Sequence, residues 1–137
     1  MTAKQYLNRV RRIDDDISEL LETKKKARDA LTRMTQNYDA DGVQSTKDPH
    51  KFDSLVVLDS LIDDMIDQQV SLKTETLRTI SCLKDNRLRI LLEKYYINLK
   101  TWEQIAKEMH YSYSHLMRMH GYALYAVEEI LKNETER

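Results

Sequence analysis

The sequence of 137 residues has few of the residues that interrupt helices, because it contains only two glycines and one proline. This scarcity favours long helices and excludes a β-sandwich or β-barrel, which needs a turn signal about every 8–12 residues. Cysteine occurs once, at position 82. A disulfide within the chain and a zinc site built on cysteines are therefore excluded, and we expect Cys82 to be a small core residue at a helix end.

Long apolar runs are also absent, and none approaches the roughly 18 residues of a transmembrane span. The first residues, Met-Thr-Ala-Lys-Gln-Tyr, lack the apolar core of a signal peptide. Hydrophobic residues make up 41% of the chain and charged residues 33%. The sequence thus predicts an all-α protein of the cytoplasm without a membrane partner.

The first part of the chain, residues 1–83, has the pattern of two long helices. Apolar or small residues recur at steps of three and four from Ala3 to Met34, apart from a gap that Lys24 fills in register. The same steps recur from Leu55 to Thr79, with Gln69 in register, so both stretches have a heptad repeat. Residues 35–51 hold the only proline and a cluster of Asn, Asp, Ser and Thr, so they predict a loop. We therefore expect a helical hairpin or coiled coil over residues 1–83.

The second helix has more apolar residues than the two positions per heptad that a two-stranded coiled coil needs. The additional ones are Leu61, Ile66, Val70 and Leu77, and they widen its apolar stripe. The two helices could fold back on each other or pair with the same helices of a second chain. The widened stripe indicates more than one partner helix, so we expect a homodimer or a higher homo-oligomer.

The second part, residues 84–137, predicts three helices with short connections. Asp85 is the expected N-cap of the first helix, which ends near Ile97. Thr101 and Gln104 fit a capping box at the start of a short second helix, and Ser112 is the expected cap of a longer third helix. A short helix, a tight turn and a longer helix are typical of a helix-turn-helix domain. Residues 84–122 hold seven basic and four acidic side chains, a mild indication of a polyanionic partner.

Two segments carry a resemblance to a known family: Lys-Thr-Trp-Glu-Gln-Ile-Ala from Lys100, and Tyr-Ser-x-Ser-His-Leu-x-Arg-x-His-Gly-x-Ala-Leu from Tyr111. The spacing of residues from Leu91 to Val127 resembles region 4 of sigma-70-type transcription factors. With the long helical part before it, the chain resembles the small sigma-like regulators of phages and prophages of Gram-positive bacteria, near the ArpU and RinA late activators.

The resemblance implies a sequence-specific transcription regulator, an activator of phage late genes, that reads promoter DNA with the helix from Ser112. It implies double-stranded DNA and host RNA polymerase as partners, the bacterial cytoplasm as location, and no cofactor or metal. The base-reading positions fall on Tyr113, Ser114, Met117 and Arg118. The expected contacts to the DNA backbone are Lys100, Thr101 and Trp102, and we expect polar contacts from His115 and Tyr122 as well.

The sequence departs from the sigma pattern at both turns, where glycine is usual and this chain has Leu99 and His110. Histidine tolerates positive φ better than leucine does. We therefore expect the first turn to differ in shape from the usual one.

Other functions fit parts of the same sequence pattern. A small-terminase-like protein of phage DNA packaging also joins a helix-turn-helix to an oligomerising coil, and a coiled-coil adaptor without nucleic acid would share the first part. Asp59, Asp63 and Asp67 share a helix face, but the paired acidic motifs of magnesium-dependent nucleotide hydrolases are not matched. We expect no enzymatic activity.

Overall fold

The structure is a computed structural model, which describes residues 1–41 and 49–135 and the side chains of residues 1–33 and 53–135. Five α-helices occupy these ranges: α1 (Ala3–Asp41), α2 (Pro49–Ser81), α3 (Asn86–Leu92), α4 (Trp102–Met109) and α5 (Tyr113–Thr135). A π-helical turn, Glu93–Ile97, follows α3 directly. The described ranges contain no strand, which confirms the all-α fold class. None of the described helices is long and apolar enough to cross a membrane.

The loop predicted for residues 35–51 is too long at both ends. Helix α1 continues to Asp41, because the Asn and Asp residues before Gly42 lower helix propensity without breaking a helix. Helix α2 begins at Pro49, where the fixed φ and the missing N–H of proline suit the first helical position. Residues 42–48, the rest of the predicted loop, lie outside the described residues.

The chain divides into two compact units, residues 1–12 with 69–137 and residues 13–68. We call them the core unit and the middle unit. The apolar core of the core unit includes Leu7 of α1, Ile80 of α2, Tyr96 of the π-helical turn and Val127 of α5, all fully buried. This core extends across position 83, where the sequence predicts a domain boundary, so the start of α1 and the end of α2 pack with the C-terminal helices.

Polar contacts join α1 to its neighbours within the core unit. The Tyr6 hydroxyl lies 2.7 Å from Thr79 Oγ1, and Arg9 Nη2 lies 3.5 Å from Glu75 Oε1. The paired numbers rise along α1 and fall along α2, so these two segments run antiparallel. At the beginning of α1 the Ala3 N–H donates to a carboxylate oxygen of Glu128 on α5, at 2.8 Å.

A second apolar cluster joins α3, α4 and α5. Its buried members are Leu91, Ile105, Leu116 and Met119. Trp102, Ala106 and Met109, which lie three or four residues apart along α4, pack against it. One face of the short helix is therefore directed into this cluster.

Among the side chains of the middle unit that the structure describes, few are buried and several apolar ones are exposed. Ile13, Ile17 and Ile62 are buried. Lys24, which occupies a seam position in the heptad pattern, forms an ion pair with Asp59. The large apolar side chains exposed on the described part of this unit are Leu21, Val56, Val57, Leu61 and Ile66.

Cys82 is exposed, so its predicted place in the core is wrong. It follows the last residue of α2, and the neighbouring core positions at this helix end are taken by Ile80 and Leu83.

Candidate nucleic-acid interface

The turn before α4 closes on a residue with left-handed backbone conformation, Leu99, at φ 56°. The Asn98 N–H donates to the Glu93 carbonyl at 2.9 Å, and the Lys100 N–H donates to the Lys94 carbonyl at 3.0 Å. The expectation that this turn differs in shape from the usual one stays a prediction. Both turns place a non-glycine residue at positive φ, and these hydrogen bonds hold Leu99 there.

Helix α4 begins with a complete capping box. The Thr101 hydroxyl accepts the Gln104 backbone N–H at 3.2 Å, and the Gln104 side chain accepts the Thr101 N–H at 3.0 Å. The predicted capping box is confirmed. It satisfies two backbone donors that would otherwise lack partners at the helix start.

The connection from α4 to α5 takes only three residues. His110 has φ 61°, and the His110 and Tyr111 N–H groups both donate to the Ala106 carbonyl. Ser112 then caps α5, because its hydroxyl accepts the His115 N–H at 3.2 Å, as the sequence predicts. The left-handed residue and the cap together end one helix and begin the next within a few residues.

Helix α5 has a buried face and an exposed face along its length. Leu116, Met119, Ala123 and Val127 are buried. Ser114, Arg118 and Tyr122 are exposed and follow each other at intervals of four residues, so they form one stripe on the opposite side. We call this set the α5 stripe.

The other predicted base-reading residues lie beside the α5 stripe. Tyr113 is 60% exposed, whereas Met117 and His115 are half-buried. Met117 packs against the second apolar cluster, and the His115 ring lies 4.7 Å from the Tyr111 ring. The predicted residues of α5 thus lie in the first half of the helix, some in the exposed α5 stripe and others beside it in half-buried positions.

Lys100 is held by a carboxylate of α4. Its Nζ lies 2.6 Å from Glu108 Oε1, and Lys94 Nζ lies 2.8 Å from Glu108 Oε2. The hydrogen bond from Lys100, followed by that from Lys94, lowers the pKa of Glu108. Two ammonium groups share one carboxylate, so these three side chains together carry a net charge of +1.

Trp102 takes part in an aromatic cluster. Its ring stacks on Tyr95 with a centroid distance of 3.9 Å, and His120 approaches it edge-on at 4.8 Å. His120 Nε2 lies 2.6 Å from the Tyr96 hydroxyl. Burial, with the charge of Lys4 as a smaller cause, lowers the pKa of His120 to about 4. Tyr95 thus packs on one face of the Trp102 indole. The residues on either side of it, Thr101 and Glu103, are exposed at the start of α4.

Two arginines near these helices are absent from the sequence-based set. A hydrogen bond with the Tyr111 side chain, and then the charge of Asp85, raises the pKa of Arg87. Arg87 is exposed, and its interaction with Tyr111 places it beside the connection into α5. Arg11 Nη2 donates to the Lys100 carbonyl at 3.1 Å. Both contacts join residues far apart in the chain, and no local pattern indicates them.

The two units carry opposite charge. Residues 1–12 and 69–137 hold 15 Lys and Arg against 9 Asp and Glu, a net of +6. Residues 13–68 hold 7 against 14, a net of −7. The net charge of −1 for the whole chain conceals this separation. A unit of net charge +6 attracts a polyanion.

The described residues include no group of three or more His, Cys, Asp or Glu side chains that could hold a metal ion. Comparison of the chain with models of protein families, with curated proteins and with solved structures finds no match.

Proposed function

We propose that this chain is a sequence-specific DNA-binding transcription regulator in which α4 and α5 form a helix-turn-helix. The observation that carries the proposal is the α5 stripe, an exposed row of hydrogen-bonding side chains on a helix whose other face is buried. The stripe belongs to a compact unit of net charge +6. In a helix-turn-helix the second helix enters the major groove and its first turns meet the base edges.

The dimensions of α5 suit this role. Ser114 and Arg118 are four residues apart, which is about 6 Å along a helix axis. Both therefore fit within a major groove about 12 Å wide. Arg118 can donate two hydrogen bonds to the O6 and N7 atoms of guanine, and Ser114 can donate or accept. Tyr113 and Met117 offer apolar contact to thymine methyl groups.

Contacts to phosphate come from residues around the two helix starts. The Lys94–Lys100 pair with its shared Glu108, the exposed backbone at Thr101 and the guanidinium of Arg87 offer donors to the DNA backbone. Tyr122 adds a phenol at the far end of the stripe. Such contacts set the register of a protein on DNA and supply most of its salt-dependent affinity.

We also propose that α1 and α2 form a helical hairpin and that the chain self-associates through the middle unit. The unit leaves Val56, Leu61 and Ile66 of α2 exposed, and a second copy would cover them. A two-fold dimer places its two half-sites about 10 bp apart or a multiple of that distance. Activation of late phage genes and contact with host RNA polymerase rest on the family resemblance.

The test is affinity selection of sheared source-genome DNA on the purified protein at about 150 mM salt, followed by sequencing, because this salt suppresses non-specific phosphate binding. One or two sharp intergenic peaks support the proposal. The variants S114A and R118A should reduce these peaks, whereas K132A, which removes an exposed cation from the far end of α5, should leave them.

Two results would overturn the proposal. A peak inside a packaging gene, together with a ring of eight or more subunits by light scattering, would indicate a packaging protein. A flat profile, both with and without added RNA polymerase, would indicate an adaptor that does not bind DNA.

A further inference from the structure

Arg11, on the first helix of the chain, contacts the turn that leads into α4. Its guanidinium carbon lies 3.9 Å from the centroid of the Tyr95 ring. The Trp102 indole stacks on the same ring, also at 3.9 Å and nearly parallel. Two groups cannot occupy one ring face at this distance, so Tyr95 lies between Arg11 and Trp102.

The same guanidinium bonds to the backbone of the turn. Arg11 Nη2 donates to the Lys100 carbonyl, which stands between Leu99, with its positive φ, and Thr101, the N-cap of α4. A left-handed backbone is less favourable for a leucine than the usual conformation, because its Cβ approaches the following carbonyl oxygen. A charge-assisted hydrogen bond to the next carbonyl helps offset that strain.

We propose that Arg11 is a positioning residue for DNA recognition, because it connects α1 to the turn that sets the direction of α4. This inference rests on the proposed function. Arg11 has no place in the α5 stripe and acts through Tyr95, Trp102 and the Lys100 carbonyl. The start of α1 therefore contributes to DNA recognition. The rest of the helix can still contribute to self-association.

Arg12 provides a matched control. It follows Arg11 on the same helix, carries the same charge and is exposed. R12A therefore removes the same long-range attraction for DNA as R11A without removing a contact to the turn. R11K keeps the charge and loses the planar group that stacks on Tyr95.

Two measurements test the inference. The first is the Kd for the selected DNA site, by fluorescence anisotropy. We expect R11A to weaken binding about 10-fold more than R12A does, the equivalent of about 1.4 kcal/mol. The second is the emission of Trp102, the only tryptophan of the chain, in the absence of DNA. We expect a red shift and stronger acrylamide quenching in R11A, smaller changes in R11K and none in R12A.

The outcomes separate the inference from the proposed function. A wild-type protein that selects no DNA overturns both. If the wild type binds its site and R11A matches R12A in Kd and emission, Arg11 has no positioning role and the proposed function stands. Circular dichroism shows whether R11A is folded. If R11A is unfolded, the R11K variant tests the inference instead. A Kd and a Trp102 emission equal to those of the wild type in R11K would overturn it.

Discussion

The indole of Trp102 lies on the ring of Tyr95, with the centroids 3.9 Å apart and the planes inclined by 14°. This contact fastens the first residue of α4 to the π-helical turn that ends the preceding helix. The edge of His120 from α5 meets the same indole. Three successive elements of the core unit therefore share one aromatic cluster at the point where α4 begins.

Replacement of Trp102 by alanine should lower the free energy of unfolding by about 2–3 kcal/mol, less than for a fully buried tryptophan because the indole is half-buried. W102F keeps a stacking ring and should lose less than half of that. Urea denaturation followed by circular dichroism measures both. The control is Y125A, which removes an aromatic side chain that is 70% exposed. Equal losses in W102A and Y125A would show that the cluster contributes no stability.

Substitution of His110, the left-handed residue after α4, by glycine should raise the free energy of unfolding. His110 is exposed and has φ 61°, a conformation that glycine adopts without strain. We expect H110G to raise the free energy of unfolding by about 0.5–1 kcal/mol. Lys107 supplies the contrast, because K107G places glycine in an exposed helix interior and should cost about 1 kcal/mol. Destabilisation by H110G would show that the imidazole itself stabilises the turn.

The caps and inward faces of the C-terminal helices could be predicted from the sequence because they depend on residues three or four apart. Thr101 with Gln104 and Ser112 with His115 are such pairs. The extent of α1 could not, since Asn and Asp favour both loops and helix ends. The bond from Arg11 to Lys100 joins positions 89 residues apart, and only the packed fold brings them together.

Gly121 lies inside α5 on its exposed side, and a Cβ added there would meet nothing within 4 Å. Alanine restricts the unfolded chain and favours the helix, so G121A should raise the free energy of unfolding by about 0.5–1 kcal/mol. Thermal melting measures the gain. G121V should gain less, because β-branched residues lose side-chain freedom in helices. A fall in stability for G121A would contradict the open surroundings of this position.

The buried histidine makes stability depend on pH. The pKa of His120 is lowered to about 4 in the folded chain, whereas an unfolded histidine titrates near 6.5. Between these values the unfolded chain binds more protons, so stability is complete above about pH 6.5 and falls as the pH is lowered towards 4.

H120Q should therefore flatten the pH dependence of stability. We expect it to remove about 1 kcal/mol of the loss between pH 7 and pH 5, a value reduced for the partial access of water to the ring. Urea denaturation at the two pH values gives the difference. An unchanged difference in H120Q would assign the pH dependence to other groups.

Arg118 and Arg87 should affect DNA binding in different ways, since one belongs to the α5 stripe and the other lies beside the connection before α5. R118A should cost about 1–3 kcal/mol on the selected site and relax the preference at one base position. R87A should weaken binding to all sequences alike and reduce the slope of log K against log salt by about 1, because it removes one phosphate contact. Anisotropy titrations of the selected site and of single-base variants at several salt concentrations separate the two effects. If R118A lost affinity equally for every sequence and lowered the salt slope, Arg118 would be a phosphate contact, and base reading would pass to Ser114 and Tyr113.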